Sequence, residues 1–134
     1  PNTYFKYIAI YIIANLTEVD TKGKFEKIFD KFYALLDDKS MIPTAHVAGN
    51  SAKIAKAKPK LQTKITNKLL TIDNTHHHPE RRDLIKGYAI EAFSAYFEGA
   101  KNKRKILEFV KKQTDSKSPR TRKKAQEFLK KWAK

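Results

Sequence analysis

The sequence predicts an all-α fold of about seven helices, and three observations predict it. Apolar side chains recur every three or four residues along most of the chain, the spacing that places them on one helix face. No segment alternates apolar and polar residues with a sustained period of two, so we expect no β-sheet. Proline and aspartate return at intervals of about forty residues, which indicates repeated helical hairpins.

Start and stop signals divide the chain into these helices. Ser40 is a good N-cap for helix three, and Pro79 and Pro119 each suit the first helical turn, where a missing N–H costs little. Gly23 and Gly99 fit helix stops. The predicted helices cover about 2–19, 24–37, 41–57, 59–73, 79–98, 101–114 and 119–132.

Helix one carries more apolar surface than one neighbour can bury, since it is apolar nearly all round. We therefore expect an interface there, with Tyr4, Ile8 and Tyr11 as its contact residues. The face would meet a preceding helix of a longer protein or another copy of this chain. The chain begins at Pro1 without Met, so either an initiator Met was removed or the sequence is a piece of something longer.

A loose internal repeat runs through the sequence. It is marked by prolines near the start of second helices, at Pro43, Pro79 and Pro119, and by aspartates that close first helices, at Asp38, Asp73 and Asp115. The spacings are 36 and 40 residues for the prolines and 35 and 42 for the aspartates. One helical hairpin per repeat is typical of a helical solenoid.

With these features the chain resembles the HEAT-repeat family of the armadillo-like class. That family's unit is two antiparallel helices, often with Pro early in each helix, Asp at the turn and a basic residue in the second helix. Asp115 with Arg122 matches the pattern, and Asp73 with Arg81 or Arg82 matches loosely. The basic position is missing in the first hairpin, where a threonine and a histidine follow the aspartate.

The resemblance implies a single domain over residues 1–134, alone or as part of a longer solenoid. It would be a right-handed α-α superhelix in which half a repeat precedes three HEAT-like hairpins, formed by helices two and three, four and five, and six and seven. A different seven-helix bundle, with the same helices stacked in another order, is the alternative that the sequence leaves open.

Positive charge is concentrated at the C-terminal end. The chain has a formal net charge of +15, and residues 101–134 contain 14 basic residues against 3 acidic ones. Such a block attracts acidic or phosphate-rich partners, although a solvated, lysine-rich helix face is the plain alternative. The outward-facing basic residues, which we call the basic patch, are Lys101, Lys103, Arg104, Lys105, Lys111, Lys112, Arg120, Arg122, Lys123, Lys124, Lys130 and Lys131.

Any nucleic-acid contact by the basic patch should be with backbone phosphates. The aromatic residues of this region, Phe109, Phe128 and Trp132, fall on the predicted core face, where they cannot stack on bases. Binding would then be salt-sensitive and only weakly sequence-specific. Asp83, Glu91 and Glu98 share one side of helix five, and we expect a solvated acidic stripe that interrupts a continuous basic groove.

The run of three histidines before Pro79 raises the question of a metal site. Imidazole is a common ligand of zinc, nickel and copper, so His76, His77 and His78, with Glu80 close by, invite that interpretation, and His76 and His78 are the weak candidates. Three adjacent residues in a loop cannot all converge on one tetrahedral ion, so a solvated loop is the leading expectation. His46 is expected at the surface or in a polar contact. No cofactor is predicted.

No nucleophile motif, phosphate-binding loop or catalytic carboxylate pair is evident, so a non-catalytic protein is expected. The favoured function is a helical-repeat scaffold that binds a protein partner. Phosphate-backbone binding to nucleic acid is the alternative, and self-association through helix one is a further expectation. Some HEAT-like proteins are DNA glycosylases for alkylated bases, but a matching set of aromatic and acidic residues is missing here.

The compartment follows from two negative observations. The longest apolar run, residues 7–14, is too short to cross a membrane, which takes about 20 residues, so no membrane partner is expected. Cysteine is absent, which excludes disulfides and fits a reducing compartment. We therefore expect a cytoplasmic protein.

Overall fold

The fold is all-α. The computed structural model describes residues 3–133, with side chains from residue 5 onward, and over that range it contains seven α-helices and no strand. The α-helices are α1 (Thr3–Leu16), α2 (Lys24–Tyr33), α3 (Met41–Ala57), α4 (Gln62–Leu69), α5 (Pro79–Tyr96), α6 (Lys103–Lys112) and α7 (Pro119–Trp132). Short 3-10 turns flank most of them, so α1, α2, α4, α5 and α6 are shorter than the predicted ranges, whereas α3 and α7 match theirs.

The predicted helix starts are confirmed at three places. The hydroxyl of Ser40 accepts a hydrogen bond from the N–H of Ile42 at 3.3 Å and caps α3. Ser118 caps α7 in the same way, at 3.3 Å from the N–H of Thr121, and a proline follows in the first turn. Pro79 occupies the first turn of α5. These residues satisfy or remove the unpaired N–H groups that every helix start exposes.

The role predicted for Gly23 is wrong. The glycine does not end α1, which finishes earlier in a 3-10 turn; it stands immediately before α2 in the left-handed region, with φ of 70°. This conformation turns the chain back so that Asp20 can cap α2. The carboxylate accepts from the N–H of Phe25 at 2.7 Å and from that of Lys24 at 3.0 Å. Glycine tolerates positive φ without the steric cost of a side chain.

The odd-numbered helices lie side by side in the order α1, α3, α5, α7. At the first contact, His46 of α3 stacks on Tyr7 of α1 with ring centroids 4.2 Å apart. Two turns further along, Lys53 of α3 donates to the side-chain oxygen of Asn15 of α1 at 3.0 Å. The contacts advance in the same direction on both helices, so α1 and α3 are parallel.

In the α5–α7 contact, the first turn of α7 lies directly against α5. The hydroxyl of Thr121 donates to the carbonyl of Asp83 at 2.6 Å. A Cβ added to Gly87 would lie 2.7 Å from that hydroxyl oxygen and 3.4 Å from the Thr121 Cα, so only glycine fits the approach. Further along the two helices, Lys124 lies 3.8 Å from the carboxylate of Glu91. These contacts pack the first turns of α7 against α5.

The core is one continuous cluster that extends from Ile10 in α1 to Phe128 in α7. Two buried hydroxyls inside it are paired with each other. The hydroxyl of Thr66 in α4 lies 2.7 Å from that of Tyr96 in α5, and burial raises the pKa of the Tyr96 phenol to about 12. Buried hydroxyls that hydrogen-bond to each other avoid the cost of desolvation without a partner.

The same kind of arginine contact occurs at the start of α5 and of α7. Arg82, early in α5, donates to the backbone carbonyl of Asp73 at 2.8 Å. Arg122, early in α7, donates to the carbonyl of Ser116 at 2.7 Å. At α5 and α7, an arginine early in the helix therefore binds a backbone carbonyl of the turn that precedes it. The Asp73 carboxylate is paired instead with the buried Lys86, at 2.6 Å.

Candidate functional site

One face of α1 is exposed and apolar. Ile8, Ile12, Leu16 and Val19 follow one another at steps of three or four residues, and their exposed fractions are 36%, 52%, 55% and 69%. We call these four residues the α1 stripe. They lie away from Ile10, which is buried in the core. An exposed apolar stripe of this length is uncommon on a free surface and marks an interaction site more often than chance exposure.

A groove of about 500 Å³ adjoins the stripe, between the end of α1 and α2. Its apolar lining comes from Ile13, Leu16, Val19, Phe25 and Ile28. Polar residues at its rim include Asp20, Lys22 and Lys24. The groove can therefore accept an apolar side chain while a charged rim surrounds it.

Asp20 holds the wall of this groove in place. Besides capping α2, its carboxylate is paired with Lys58 at 3.0 Å, and Lys58 also reaches Glu26 at 2.7 Å. The N–H groups of Phe25 and Lys24, followed by Lys58, lower the pKa of Asp20 to about 2. The Glu26 carboxylate is the main cause of a raised pKa at Lys58.

The interface residues predicted from sequence are distributed differently. Ile8 belongs to the α1 stripe. Tyr11 is equally exposed but lies toward α3, with its ring 5.4 Å from that of His46 and 5.4 Å below the Lys53 ammonium. The side chain of Tyr4 lies outside the described residues.

His46, which was expected at the surface or in a polar contact, is neither fully exposed nor fully buried. It is half-buried between α1 and α3, where it stacks on Tyr7, and burial lowers the pKa of its imidazole. Together with Lys53, Tyr88 of α5 and Arg120 of α7, it lies along one face of the odd-numbered helices. The sequence places each of these residues on a helix, but only the side-by-side packing of the helices puts them on one surface.

The acidic stripe predicted on helix five does not form as a solvated row. Glu91 forms an ion pair with Arg120 and lies 3.8 Å from Lys124, both on α7. The Arg120 guanidinium also lies 4.2 Å above the Tyr88 ring, a cation–π contact. Glu98 is exposed, in the turn after α5. The prediction failed at Glu91 because the sequence could not show that α7 packs beside it.

The basic patch is largely open to solvent. Arg120, Arg122 and Lys124 are half-buried, and each has a contact described above. The other nine residues are exposed: Lys101, Lys103, Arg104, Lys105, Lys111, Lys112, Lys123, Lys130 and Lys131. Of these, Arg104 pairs with Glu108 one turn away, and Lys103 and Lys131 lie near the rings of Phe97 and Trp132. Most of the patch charge is therefore not neutralised within residues 3–133.

The aromatic residues near the patch face inward, as predicted. Phe128 is buried, and Phe109 and Trp132 are partly buried against the core. The patch thus offers charge and hydrogen-bond donors, but stacking surfaces only at the partly exposed edges of Phe109 and Trp132.

Asp37, His76 and His77 form a cluster that joins two turns far apart in sequence. The carboxylate of Asp37 and the imidazoles of His76 and His77 bring ligand atoms within 4.8 Å of one another. Burial is the main cause of a lowered pKa at His77, whereas Asp37 has its pKa lowered by the N–H and ring of His76. Of the two histidines considered from sequence, His76 is in this cluster. His78 is exposed at the N-terminus of α5.

Sequence reasoning missed Asp37, and it noted His77 in the histidine run without choosing it as a candidate ligand. Asp37 lies 39 residues before His76, and no local pattern links the two. Asp37 and Asp38 are adjacent, so the repeat pattern does not distinguish which of them ends the helix.

Comparisons of the chain with protein-family models, curated proteins and solved structures found no match. None of the helices within residues 3–133 combines the length and the apolar character needed to cross a bilayer.

Proposed function

We propose that this chain is a non-catalytic helical-repeat scaffold of the HEAT-like type, and that it binds a protein partner. In this proposal α1 is half a repeat, and the pairs α2–α3, α4–α5 and α6–α7 form the turns of a right-handed α-α superhelix. The parallel packing of α1 on α3 supports it, and so does the direct packing of α7 against α5. So does the arginine contact that recurs at the start of α5 and α7. Stacked hairpins of this kind provide a long, preformed binding surface.

The observation that carries the proposed partner class is the α1 stripe. Between residues 3 and 19 only Lys6 and Glu18 are charged, so this end of the molecule offers apolar area with little electrostatic selectivity. Apolar surface that is exposed in one continuous stripe is removed from water on binding, which is the main driving force of protein association.

We assign one occupant to the stripe, an amphipathic helix of a partner protein. In the row of odd-numbered helices, each helix packs against the next, and within the described residues α3 is the α-helix with the most extensive contact to α1. A helix with apolar residues at steps of three and four would lie beside α1 and extend that row. One of its apolar side chains would enter the groove next to Leu16.

A photo-crosslinking experiment with a matched pair of positions tests this assignment. Ile12 and Ile42 are exposed to nearly the same extent, 52% and 50%, but Ile42 lies at the start of α3 and outside the stripe. A photoreactive residue at position 12 should yield an adduct with a discrete protein, which is then purified and titrated. Its affinity should fall at least about tenfold for Ile12→Glu and stay unchanged for Ile42→Glu.

Two results would overturn the assignment. Equal losses in the two glutamate variants would show that the partner does not use the stripe. An adduct of twice the chain mass, with sedimentation as a dimer that Ile12→Glu abolishes, would identify a second copy of this chain as the occupant. Turnover in hydrolase, transferase or glycosylase assays that a single substitution abolishes would end the non-catalytic proposal.

A second function is favoured by the exposure of the basic patch. Lysine side chains that are not paired with acids can neutralise nucleic-acid phosphates and release their counterions. We propose weakly sequence-specific binding to the phosphate backbone of DNA or RNA by α6 and α7. Titration of a mixed-sequence duplex should show affinity that falls steeply with salt. No binding at about 50 mM salt, or binding independent of salt, would reject it.

A further inference from the structure

The cluster of Asp37, His76 and His77 has the donor set of a metal site. Asp37 ends the 3-10 turn after α2, and the histidines lie in the loop that leads into α5. One carboxylate oxygen and two imidazole nitrogens lie within 4.8 Å of one another. Two nitrogens and one oxygen suit first-row divalent ions such as zinc and nickel better than magnesium or calcium, which prefer oxygen alone.

Hydrogen bonds at one nitrogen hold the ring of His77. Its Nε2 lies 3.1 Å from the carbonyl oxygen of Leu36 and 2.9 Å from the hydroxyl of Thr44. A carbonyl can only accept, so Nε2 carries the hydrogen and Nδ1 presents its lone pair. Metal-binding histidines typically donate their second N–H to a backbone carbonyl or carboxylate in this way, which fixes the ring.

His76 and Asp37 are held together at the surface. The backbone N–H of His76 donates to the Asp37 carboxylate at 2.8 Å, and the ring Nδ1 lies 2.5 Å from the same oxygen. The two imidazole rings are 4.4 Å apart and tilted by 34°. The side chains of His76 and Asp37 are 51% and 56% exposed, so an ion has an entry path and both groups have room to adjust.

We propose that Asp37, His76 and His77 bind a divalent transition-metal ion, of which Zn²⁺ is the representative. The ion takes the place of the hydrogen that Asp37 and His76 share. That hydrogen leaves Nδ1 to water as a proton, and the bound imidazole carries its one hydrogen on Nε2. With ligand bonds of about 2.0–2.2 Å, the donor atoms must stand roughly 3.3 Å apart, so the carboxylate and ring separate by less than about 1 Å. A water molecule completes the coordination. The inference is independent of the scaffold function.

Such an ion would cross-link two neighbouring hairpins. It would join the turn after α2 to the loop before α5, and Thr44, which contacts His77, adds the first turn of α3. The ion would bind the folded chain more tightly than the unfolded one, because only folding brings the three ligands together. Its presence should therefore raise thermal stability.

Calorimetric titration of the EDTA-treated chain with Zn²⁺ and with Mg²⁺ tests the site. We expect one Zn²⁺ bound with a Kd of about 10 μM or lower, and a rise in Tm of roughly 5–10 °C at a hundredfold excess over Kd. The same concentration of Mg²⁺ should give no rise. His76→Gln and Asp37→Asn should each weaken Zn²⁺ binding at least about tenfold.

The neighbouring His78 provides the matched control, since it is exposed, lies in the same loop and is outside the cluster. His78→Gln should leave Zn²⁺ affinity unchanged. If it weakens binding as much as His76→Gln, the ion is held by the histidine run as a whole and the proposal is wrong. Absence of Zn²⁺ binding at 100 μM, or equal stabilisation by Mg²⁺, would also overturn it. His76→Gln and Asp37→Asn both change exposed side chains. A circular dichroism spectrum like that of the unchanged chain shows that each variant is folded, so that weaker Zn²⁺ binding does not result from misfolding.

Discussion

The two ends of the helix row differ in how they can meet other molecules. The α1 end has four exposed aliphatic side chains in a stripe and, between residues 3 and 19, one charge of each sign. The α6–α7 end carries most of the net charge on exposed lysines, while its aromatic side chains are turned inward. The first end suits a surface that loses water on contact, and the second suits acidic or phosphate-rich partners.

The physical difference lies in how specificity arises. Apolar contact depends on shape, falls off within a few Å and changes little with salt. Charge attraction acts over roughly 10 Å at 0.1 M salt and is screened as salt rises. One molecule could therefore use both ends at once without competition between its partners. The following changes test that division, from the largest expected effect to the smallest.

The first test compares the stability contributions of the buried and the exposed face of α1. Ile10→Ala should lower the free energy of unfolding by about 2–5 kcal/mol, because Ile10 is 1% exposed and the change leaves a cavity. Ile12→Ala, two residues away and 52% exposed, should change it by less than about 0.5 kcal/mol. Urea unfolding followed by circular dichroism measures both. Similar losses would mean that the stripe is not a free surface.

The second test asks whether duplex binding depends on where the lysines lie or only on the net charge of the chain. Replacing Lys105, Lys111, Lys112 and Lys123 by Gln should lower duplex affinity roughly 100-fold at low salt and reduce the salt slope by about 4. The control replaces an equal number of exposed lysines at the α1–α2 end, Lys22, Lys27, Lys31 and Lys39. Both variants have the same net charge. Fluorescence anisotropy should show little loss for the control, and equal losses would indicate attraction by overall charge.

The third test concerns how firmly the basic end is attached to the row. Gly87→Ala should cost about 1–3 kcal/mol of stability, since its Cβ would lie 2.7 Å from the buried Thr121 hydroxyl. Gly99→Ala is the control, because no atom lies within 4 Å of a Cβ built there. Thermal unfolding compares them. A neutral Gly87→Ala would indicate that α7 is free to move away from α5.

The smallest effect is expected from the acid that supports the groove. Hydrogen bonds from Phe25 and Lys24 lower the folded-state pKa of Asp20 from 3.8 to about 2. A lowered pKa stabilises the fold above about pH 4, and that contribution is lost as pH falls toward 2. Asp20→Asn should therefore flatten the stability profile between pH 4 and 2, measured by urea unfolding. Asp30→Asn, 88% exposed, should leave the profile unchanged.

Local chemistry was sufficient to predict the helices. Apolar spacing, together with Ser40, Pro79 and Ser118, gave the number of helices and most of their starts, because periodicity and capping act within a few residues. The ends were predicted less well, since 3-10 turns replace the last residues of several helices. Gly23 was misassigned because a glycine can follow one helix or precede the next, and its neighbours do not distinguish the two.

The sequence could not show which helices pack against each other. The sequence determined that residues 3–133 form seven α-helices and that the charge accumulates at one end, because both are set by residues close together along the chain. Tertiary structure decided that Glu91 is paired across to α7, that His46 stacks on α1 and that Asp37 meets His76. Each of these contacts joins residues at least 29 positions apart, and only the packing of separate helices brings them within bonding distance.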